Sequence, residues 1–141
     1  MPDYILDACA LLAFLKNEEG ADTVSGLFDR AERGEITLGM NAANLIEVYY
    51  DRIRMVGSGQ ADTVISDIYD LFPIAIIETI DSAIVREAAR LKAAGKMSFA
   101  DTILVATAIC TGAAVVTCDH VELEQVERQE HIPFLWIRPQ F

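Results

Sequence analysis

Positive charge is scarce in this chain. Its 141 residues include 11 Lys and Arg against 22 Asp and Glu, which gives a formal net charge of −11 at pH 7. A protein that holds nucleic acid through a broad basic surface needs the opposite balance. If the substrate is a nucleic acid, its phosphates must therefore be met by a few local Lys or Arg side chains and by bound cations.

Cysteine is also too sparse to suggest a cross-linked or zinc-bound domain. The three cysteines, Cys9, Cys110 and Cys118, are odd in number and form no Cys-x-x-Cys pair. This pattern argues against a disulfide framework and against a structural zinc site. We therefore expect a cytoplasmic protein with three small, reduced thiols.

The chain lacks any segment with the length and charge pattern of a membrane span. The apolar stretch from Tyr4 to Leu15 has no basic residue before it and contains Asp7, so it does not fit a secretory signal. The uncharged run from Thr102 to Cys118 is shorter than the ~20 residues needed to cross a bilayer, and Gly112 interrupts it. We interpret that run as a buried helix and a buried strand, and we expect no membrane partner.

Short apolar runs alternate with helical patterns along the whole chain, without a repeat or a linker. The predicted strands are Tyr4–Leu6, Ile36–Gly39, Ile74–Ile77, Ala114–Thr117 and Phe134–Trp136. The predicted helices are Ala8–Lys16, Ala21–Arg33, a helix from the N-cap Asn41 to about Val56, Gln60–Leu71, Ser82–Ala94, Ser98–Thr111 and Leu123–Gln129. Apolar strands separated by helices predict one α/β domain over residues 1–141, a three-layer α/β/α sandwich with a central parallel sheet of about five strands.

Four carboxylates are candidates for the functional site of such a fold. Asp7 directly follows the first strand, and Asp119 follows the fourth, and the carboxyl ends of parallel strands form the functional edge of the sheet. Glu47 lies among apolar neighbours in a helix, where an unpaired carboxylate is rarely buried. Asp101 opens an apolar helix, and Thr117 is placed to orient Asp119 through its hydroxyl.

Each of these acidic residues also has a purely structural explanation. Asp7 is a candidate N-cap, Asp119 a turn residue, and Glu47 a solvated position on a mixed helix. Ser98 to Asp101 has the Ser-x-x-Asp form of a capping box. If all four meet at one edge, however, their repulsion requires protonation or a cation. Oxygen ligands of this kind suit Mg²⁺ or Mn²⁺ better than zinc.

At these residues the sequence resembles the PIN-domain family, and in particular the VapC-type toxins of toxin–antitoxin pairs. The resemblance covers essentially the whole chain. It depends on four motifs in order, YILDACALLAFL, NAANLIEVYY, MSFADTILVATA and AVVTCDHVELEQV, and on the closing IPFLWI. It implies the strand order 3-2-1-4-5 and a metal-dependent endoribonuclease that hydrolyses RNA phosphodiester bonds.

The resemblance also implies roles for individual residues and partners. The implied catalytic metal ligands, for Mg²⁺ or Mn²⁺, are Asp7, Glu47, Asp101 and Asp119, with Thr117 as the supporting hydroxyl. A cognate antitoxin and a homodimer are implied as protein partners. Two other functions stay open, a catalytically silent PIN-fold binding module and a housekeeping RNA-processing nuclease.

A few side chains are candidates for contact with RNA or with the antitoxin. Arg86 and Arg90 are four apart and share a helix face, and Lys96 precedes the Asp101 motif. A solvated surface face explains these cations without RNA. Candidate antitoxin anchors within residues 20–70 are Tyr49, Tyr50 and Met55, which the core would accommodate equally well.

Overall fold

A computed structural model describes residues 1–140 and confirms the expected architecture. Within that range there are five strands, β1 (Tyr4–Leu6), β2 (Leu38–Asn41), β3 (Ala75–Ile77), β4 (Ala114–Thr117) and β5 (Phe134–Trp136). The seven helices of the same residues are α1 (Ala8–Leu15), α2 (Ala21–Glu32), α3 (Ala42–Val56), α4 (Ser58–Asp70), α5 (Ser82–Ala94), α6 (Phe99–Thr111) and α7 (His120–Glu130). All strand pairs are parallel, in the order β3-β2-β1-β4-β5.

The sheet separates two apolar cores, because successive side chains of a strand point to opposite faces. Leu6 and Val116 pack with α1 to α4 on one face, whereas Ile5 and Val115 pack with α5, α6 and α7 on the other. All four side chains are fully buried. Burial on both faces explains why these strands are uninterrupted apolar runs. Among the residues described, no helix combines the length and hydropathy that a membrane span requires.

Several element boundaries differ from the prediction. Strand β2 covers Leu38–Asn41 instead of Ile36–Gly39, because Asn41 pairs with Ile77 and its side chain accepts a hydrogen bond from the Thr107 hydroxyl at 3.1 Å. Asn41 precedes α3 but makes no side-chain cap to it. A hydrogen bond between two buried polar side chains cannot be predicted from the pattern of hydrophobic residues.

Two helices are longer than predicted for local reasons. Helix α4 begins at Ser58 and not at Gln60, because the backbone break is confined to Gly57, whose φ is +87°. Helix α7 begins at His120 and not at Leu123, because the Asp119 carboxylate accepts a hydrogen bond from the Glu122 amide at 3.1 Å.

The prediction of three reduced thiols was wrong for one pair. Cys9, in α1, and Cys118, just after β4, form a disulfide with their Cα atoms 6.0 Å apart, whereas Cys110 is free. Parity and local spacing could not reveal this bond, because its partners are 109 residues apart in sequence and meet only where β1 and β4 lie side by side. The disulfide joins the two segments that carry Asp7 and Asp119.

Loss of the disulfide should lower the free energy of unfolding by roughly 2–5 kcal/mol, because the bond closes a long loop in the unfolded chain. Urea unfolding of the wild type with and without dithiothreitol, and of Cys9→Ser, measures this loss. Cys110→Ser is the matched control, since it removes a thiol outside the bond. Equal stability of Cys9→Ser and the oxidised wild type would show that the bond contributes nothing.

Candidate active site

The four predicted carboxylates meet at one edge of the sheet. The strand order reverses between β1 and β4, and ligand sites of open α/β sheets lie at such a switch point. A cavity of about 200 Å³ opens at this edge. Its lining residues are Asp7, Ala8, Cys9, Glu47, Ser98, Asp101, Asp119 and Glu122. We call this space the acidic cavity.

Asp7 is the most enclosed of these carboxylates, with 3% of its surface exposed. One carboxylate oxygen accepts a hydrogen bond from the Ala10 amide at 2.8 Å, and the other accepts one from the Thr117 hydroxyl at 2.5 Å. Asp7 is therefore both the N-cap of α1 and a wall of the acidic cavity. Burial raises its pKa to about 7, although both hydrogen bonds act in the opposite direction.

The Thr117 hydroxyl contacts two site residues, of which the sequence predicted one. It accepts a hydrogen bond from the backbone amide of Asp119 at 3.0 Å, as expected, and it also donates to the Asp7 carboxylate. The side chain is fully buried, so this connection between the ends of β1 and β4 is shielded from water. Thr117 thus orients Asp7 directly and Asp119 only through the backbone.

Asp101 lies in the first turn of α6. Its amide donates to the Ser98 hydroxyl at 3.2 Å, as in the predicted capping box. Burial raises the pKa of its carboxyl to about 6, a hydrogen bond with Ser98 opposes the rise, and repulsion from Asp119, Glu47 and Glu122 adds to it. The Asp101 side chain therefore lines the acidic cavity, while its backbone amide takes part in the cap of α6.

Glu47 reaches the acidic cavity from α3. Burial, followed by repulsion from Asp119, raises the pKa of its carboxyl. The position of α3 depends on Asn44, one helical turn earlier, whose buried side-chain amide donates to the Ala100 carbonyl at 3.2 Å. This bond fixes the Glu47 helix beside the first turn of α6, so the two acidic residues approach the cavity together.

The donors of the acidic cavity are carboxylate and hydroxyl oxygens, which fit a hard divalent cation such as Mg²⁺ or Mn²⁺. In residues 1–140, no three Asp, Glu, His or Cys side chains already converge as a metal-binding group. His120, beside Asp119, is engaged elsewhere: its Nδ1 lies 3.1 Å from Glu124, its Nε2 lies 2.8 Å from the Arg138 carbonyl, and its ring stacks on Trp136.

The predicted RNA contacts are dispersed over the surface. Arg90 is paired with Glu87 and with Glu130, each at 2.7 Å. Arg86 lines a separate cavity between α5 and α6. Lys96 is the one of the three that lies beside the acidic cavity, on the wall of an adjoining space that also includes Glu122.

Sequence reasoning missed two charged residues near the site. Glu122 lines the acidic cavity from the first turn of α7, three residues after Asp119. Arg138 follows β5, and its guanidinium lies 3.8 Å from Cys9 Sγ, an atom of a cavity-lining residue. Arg138 belongs to no motif, but it follows the carboxyl end of β5 at the same sheet edge, and that position is the signal that would have identified it.

This sheet order with a carboxylate cluster at its switch point defines a doubly wound α/β domain with an acidic site. The family model of the PIN domain matches residues 4–129, and the chain belongs to the PIN domain family. Membership of this family implies a nuclease, that is, a hydrolase of phosphodiester bonds. No protein of curated function matches the sequence.

Solved structures share the fold at low sequence identity. A chain of the DNA-bound VapBC of Salmonella typhimurium gives a TM-score of 0.72 at 15% identity, covering 98% of this chain and 100% of that chain. A chain of VapBC-1 from nontypeable Haemophilus influenzae gives a TM-score of 0.71 at 15% identity, covering 95% of this chain and 97% of that chain. VapC20 of Mycobacterium tuberculosis, a sarcin–ricin loop cleaving toxin, gives a TM-score of 0.60 at 16% identity, covering 86% of this chain and 94% of that chain.

Removal of the Asp7 charge should stabilise the metal-free protein at high pH. The pKa of Asp7 rises from 3.8 to about 7 on folding, so the folded state binds more protons and the free energy of unfolding falls as pH rises between these values. Asp7→Asn should be more stable than the wild type at pH 8, by on the order of a few kcal/mol, and the difference should shrink towards pH 4.

Thermal unfolding in EDTA between pH 4 and 8 measures this difference. Asp70→Asn, which removes an exposed carboxylate at the end of α4, is the matched control. An Asp7→Asn variant that is less stable than the wild type at pH 8 would contradict the assignment of Asp7 as a destabilising buried charge.

Proposed function

We propose that this protein is a Mg²⁺- or Mn²⁺-dependent endoribonuclease and the toxin component of a toxin–antitoxin pair. The observation that carries the proposal is the convergence of Asp7, Glu47, Asp101 and Asp119 on one cavity at the switch point of a PIN fold. Support for the toxin role comes from similar structures that are named as VapBC complexes, and support for RNA comes from one named as a toxin that cleaves the sarcin–ricin loop.

The proposed metal ligands are the four carboxylates, and a bound cation supplies Lewis-acid stabilisation of the phosphate and an activated water. The protein's own contribution is to hold these carboxylates together. Thr117 keeps the Asp7 carboxylate in one orientation, and the N-cap of α7 does the same for Asp119. The raised pKa values of Asp7 and Asp101 mean that their charges are unfavourable without a counterion.

Two cations lie near the acidic cavity and offset part of the charge that RNA would meet. Lys96 lies on the linker before α6 and lines the adjoining cavity, and the Arg138 guanidinium lies near Cys9, which lines the acidic cavity. The wider surface is acidic, since the net charge is −11. Binding of RNA is therefore expected to be local, through a few nucleotides at the site, instead of through a broad basic surface.

Substitution of the acidic residues should abolish RNA cleavage. Asp7→Asn and Asp101→Asn should each reduce the rate by more than the roughly 10- to 100-fold expected for Thr117→Val, which removes only a supporting hydroxyl. Asp70→Asn should cleave as the wild type does. The assay is cleavage of single-stranded RNA with Mg²⁺, with Mn²⁺ and with EDTA, on variants that unfold cooperatively.

Other outcomes would identify the alternative functions. Undiminished cleavage by both Asp→Asn variants would remove the acidic cavity from the reaction. A wild type that Mn²⁺ stabilises against heat but that cleaves no RNA would be a silent binding module. A protein that cleaves RNA but whose expression does not arrest growth would be a housekeeping RNA-processing nuclease.

The proposed antitoxin site is an exposed apolar stripe on α3. Ile46, Tyr50 and Ile53 lie at i, i+4 and i+7 and are 65%, 52% and 41% exposed, and Met55 near the helix end is 67% exposed. Tyr49, the remaining candidate anchor, packs against the core, and its hydroxyl binds Asp62. Tyr50 also lines a cavity that includes Glu47, so a partner on this stripe would lie beside the active site.

The product of a neighbouring gene should co-purify with the wild type and should be lost from Ile46→Ser/Tyr50→Ser. Both side chains are exposed, so the substitutions spare the core. Val85→Ser, on the exposed face of α5, is the matched control. Retention of the partner by the double variant would exclude the stripe, and light scattering of the free protein tests the proposed homodimer.

A further inference from the structure

A second cavity adjoins the acidic one. It encloses about 310 Å³ between the end of α5, the linker at 95–98 and one face of α7. Glu122 lines both cavities, and the linker passes from Met97 in the second cavity to Ser98 in the acidic one. A ligand bound at the carboxylates would therefore lie next to this space. We call it the α7 cavity.

The walls of the α7 cavity are mainly neutral. Leu91, Met97 and Val126 form a buried apolar floor. Gln125 and Gln129 are four residues apart on the exposed face of α7, so they are neighbours on that face, and both line the cavity. None of the hydrogen bonds within residues 1–140 uses either amide, which leaves their donors and acceptors available to a ligand.

The charges at the rim argue against an anionic occupant. Glu122 and Glu130 both line the cavity, and Lys96 is its single cation. Glu130 is neutralised by Arg90 at 2.7 Å, but Glu122 and Lys96 leave no net positive charge for a phosphate. A neutral, flat group with a polar edge fits these walls better, because it can lie on the apolar floor and meet the two amides.

We propose that the α7 cavity binds the nucleobase next to the cleaved phosphodiester of a single-stranded RNA, and that Gln125 and Gln129 select that base. The proposal rests on the ribonuclease function proposed above and names the specificity determinant of the same site. Glutamine amides pair with base edges through one donor and one acceptor, and sequence-specific proteins read RNA mainly through unstacked bases. A cavity of this volume is large enough for one nucleoside.

The first experiment measures which bases flank the cut. A pool of single-stranded RNA oligonucleotides with randomised sequence is cleaved by the wild type, Gln125→Ala, Gln129→Ala and the control Gln60→Ala, which removes the same group from α4. The wild type and Gln60→Ala should share a base preference at one position beside the cut. Either cavity variant should weaken that preference by about five- to a hundredfold, the discrimination lost with one bidentate pair.

A second readout does not depend on cleavage. Titration of adenosine, guanosine, cytidine and uridine into the metal-free wild type, followed by calorimetry, should show one preferred nucleoside, and both cavity variants should lose that preference. A wild type that cleaves no RNA would reject the ribonuclease function and leave this titration as the test of the cavity. Selective binding that depends on Gln125 or Gln129 would then still support base recognition.

Two results would overturn the proposal. In the first, the cavity variants match Gln60→Ala in both the cleavage profile and the nucleoside affinities. In the second, they match it in both assays but lose a co-purifying protein partner, which would make the α7 cavity a protein-docking surface. Thermal unfolding of each variant accompanies both assays, and exposed Gln→Ala changes on a helix should leave it within a few degrees of the wild type.

Discussion

The burial of carboxylates in a partly dry space, to which their mutual repulsion adds, is the constraint on which the rest of this site depends. Two unit charges ~4 Å apart repel by about 4 kcal/mol at an effective dielectric of 20. The chain counters this repulsion with bonds that span the fold. Thr117 connects the ends of β1 and β4, Asn44 attaches α3 to α6, and the Cys9–Cys118 disulfide crosses the same gap. Each of these connections lies between elements that carry a site carboxylate.

The acidic composition of the chain affects where RNA and cations would bind. A net charge of −11 disfavours a polyanion at long range, so the proposed affinity for RNA would arise where carboxylates can be neutralised and a cation such as Lys96 or Arg138 is near. A divalent cation bound at the carboxylates would then both stabilise the fold and prepare the proposed substrate site. It would relieve Asp7 and Asp101, whose pKa values of about 7 and about 6 record the unrelieved cost of burying their charges.

The sequence predicted the parallel sheet and the positions of Asp7 and Asp119 because both leave local marks, namely apolar runs of defined length and carboxylates placed at their ends. The strand order and the ligand roles of the four acidic residues came from the resemblance to the PIN-domain family. It did not predict features that depend on two distant segments. The Cys9–Cys118 bond, the Asn41–Thr107 hydrogen bond and the approach of Arg138 to Cys9 all join residues far apart in the chain. The role of Thr117 was predicted only in part for the same reason: its hydrogen bond with the nearby Asp119 was expected, whereas its bond to Asp7, which follows another strand, was not.

The helix-capping positions of three acidic residues and their places around the acidic cavity are one arrangement. Asp7 and Asp119 cap α1 and α7, and Asp101 lies in the first turn of α6, so three helix N-termini point towards the acidic cavity. A helix N-terminus stabilises a carboxylate by typically 0.3–1 kcal/mol. The rise of the Asp7 pKa from 3.8 to about 7 corresponds to an opposing cost on the order of 4 kcal/mol. The helix ends therefore orient the carboxylates without neutralising them. The free-energy cost of the buried charge that remains would favour binding of a divalent cation.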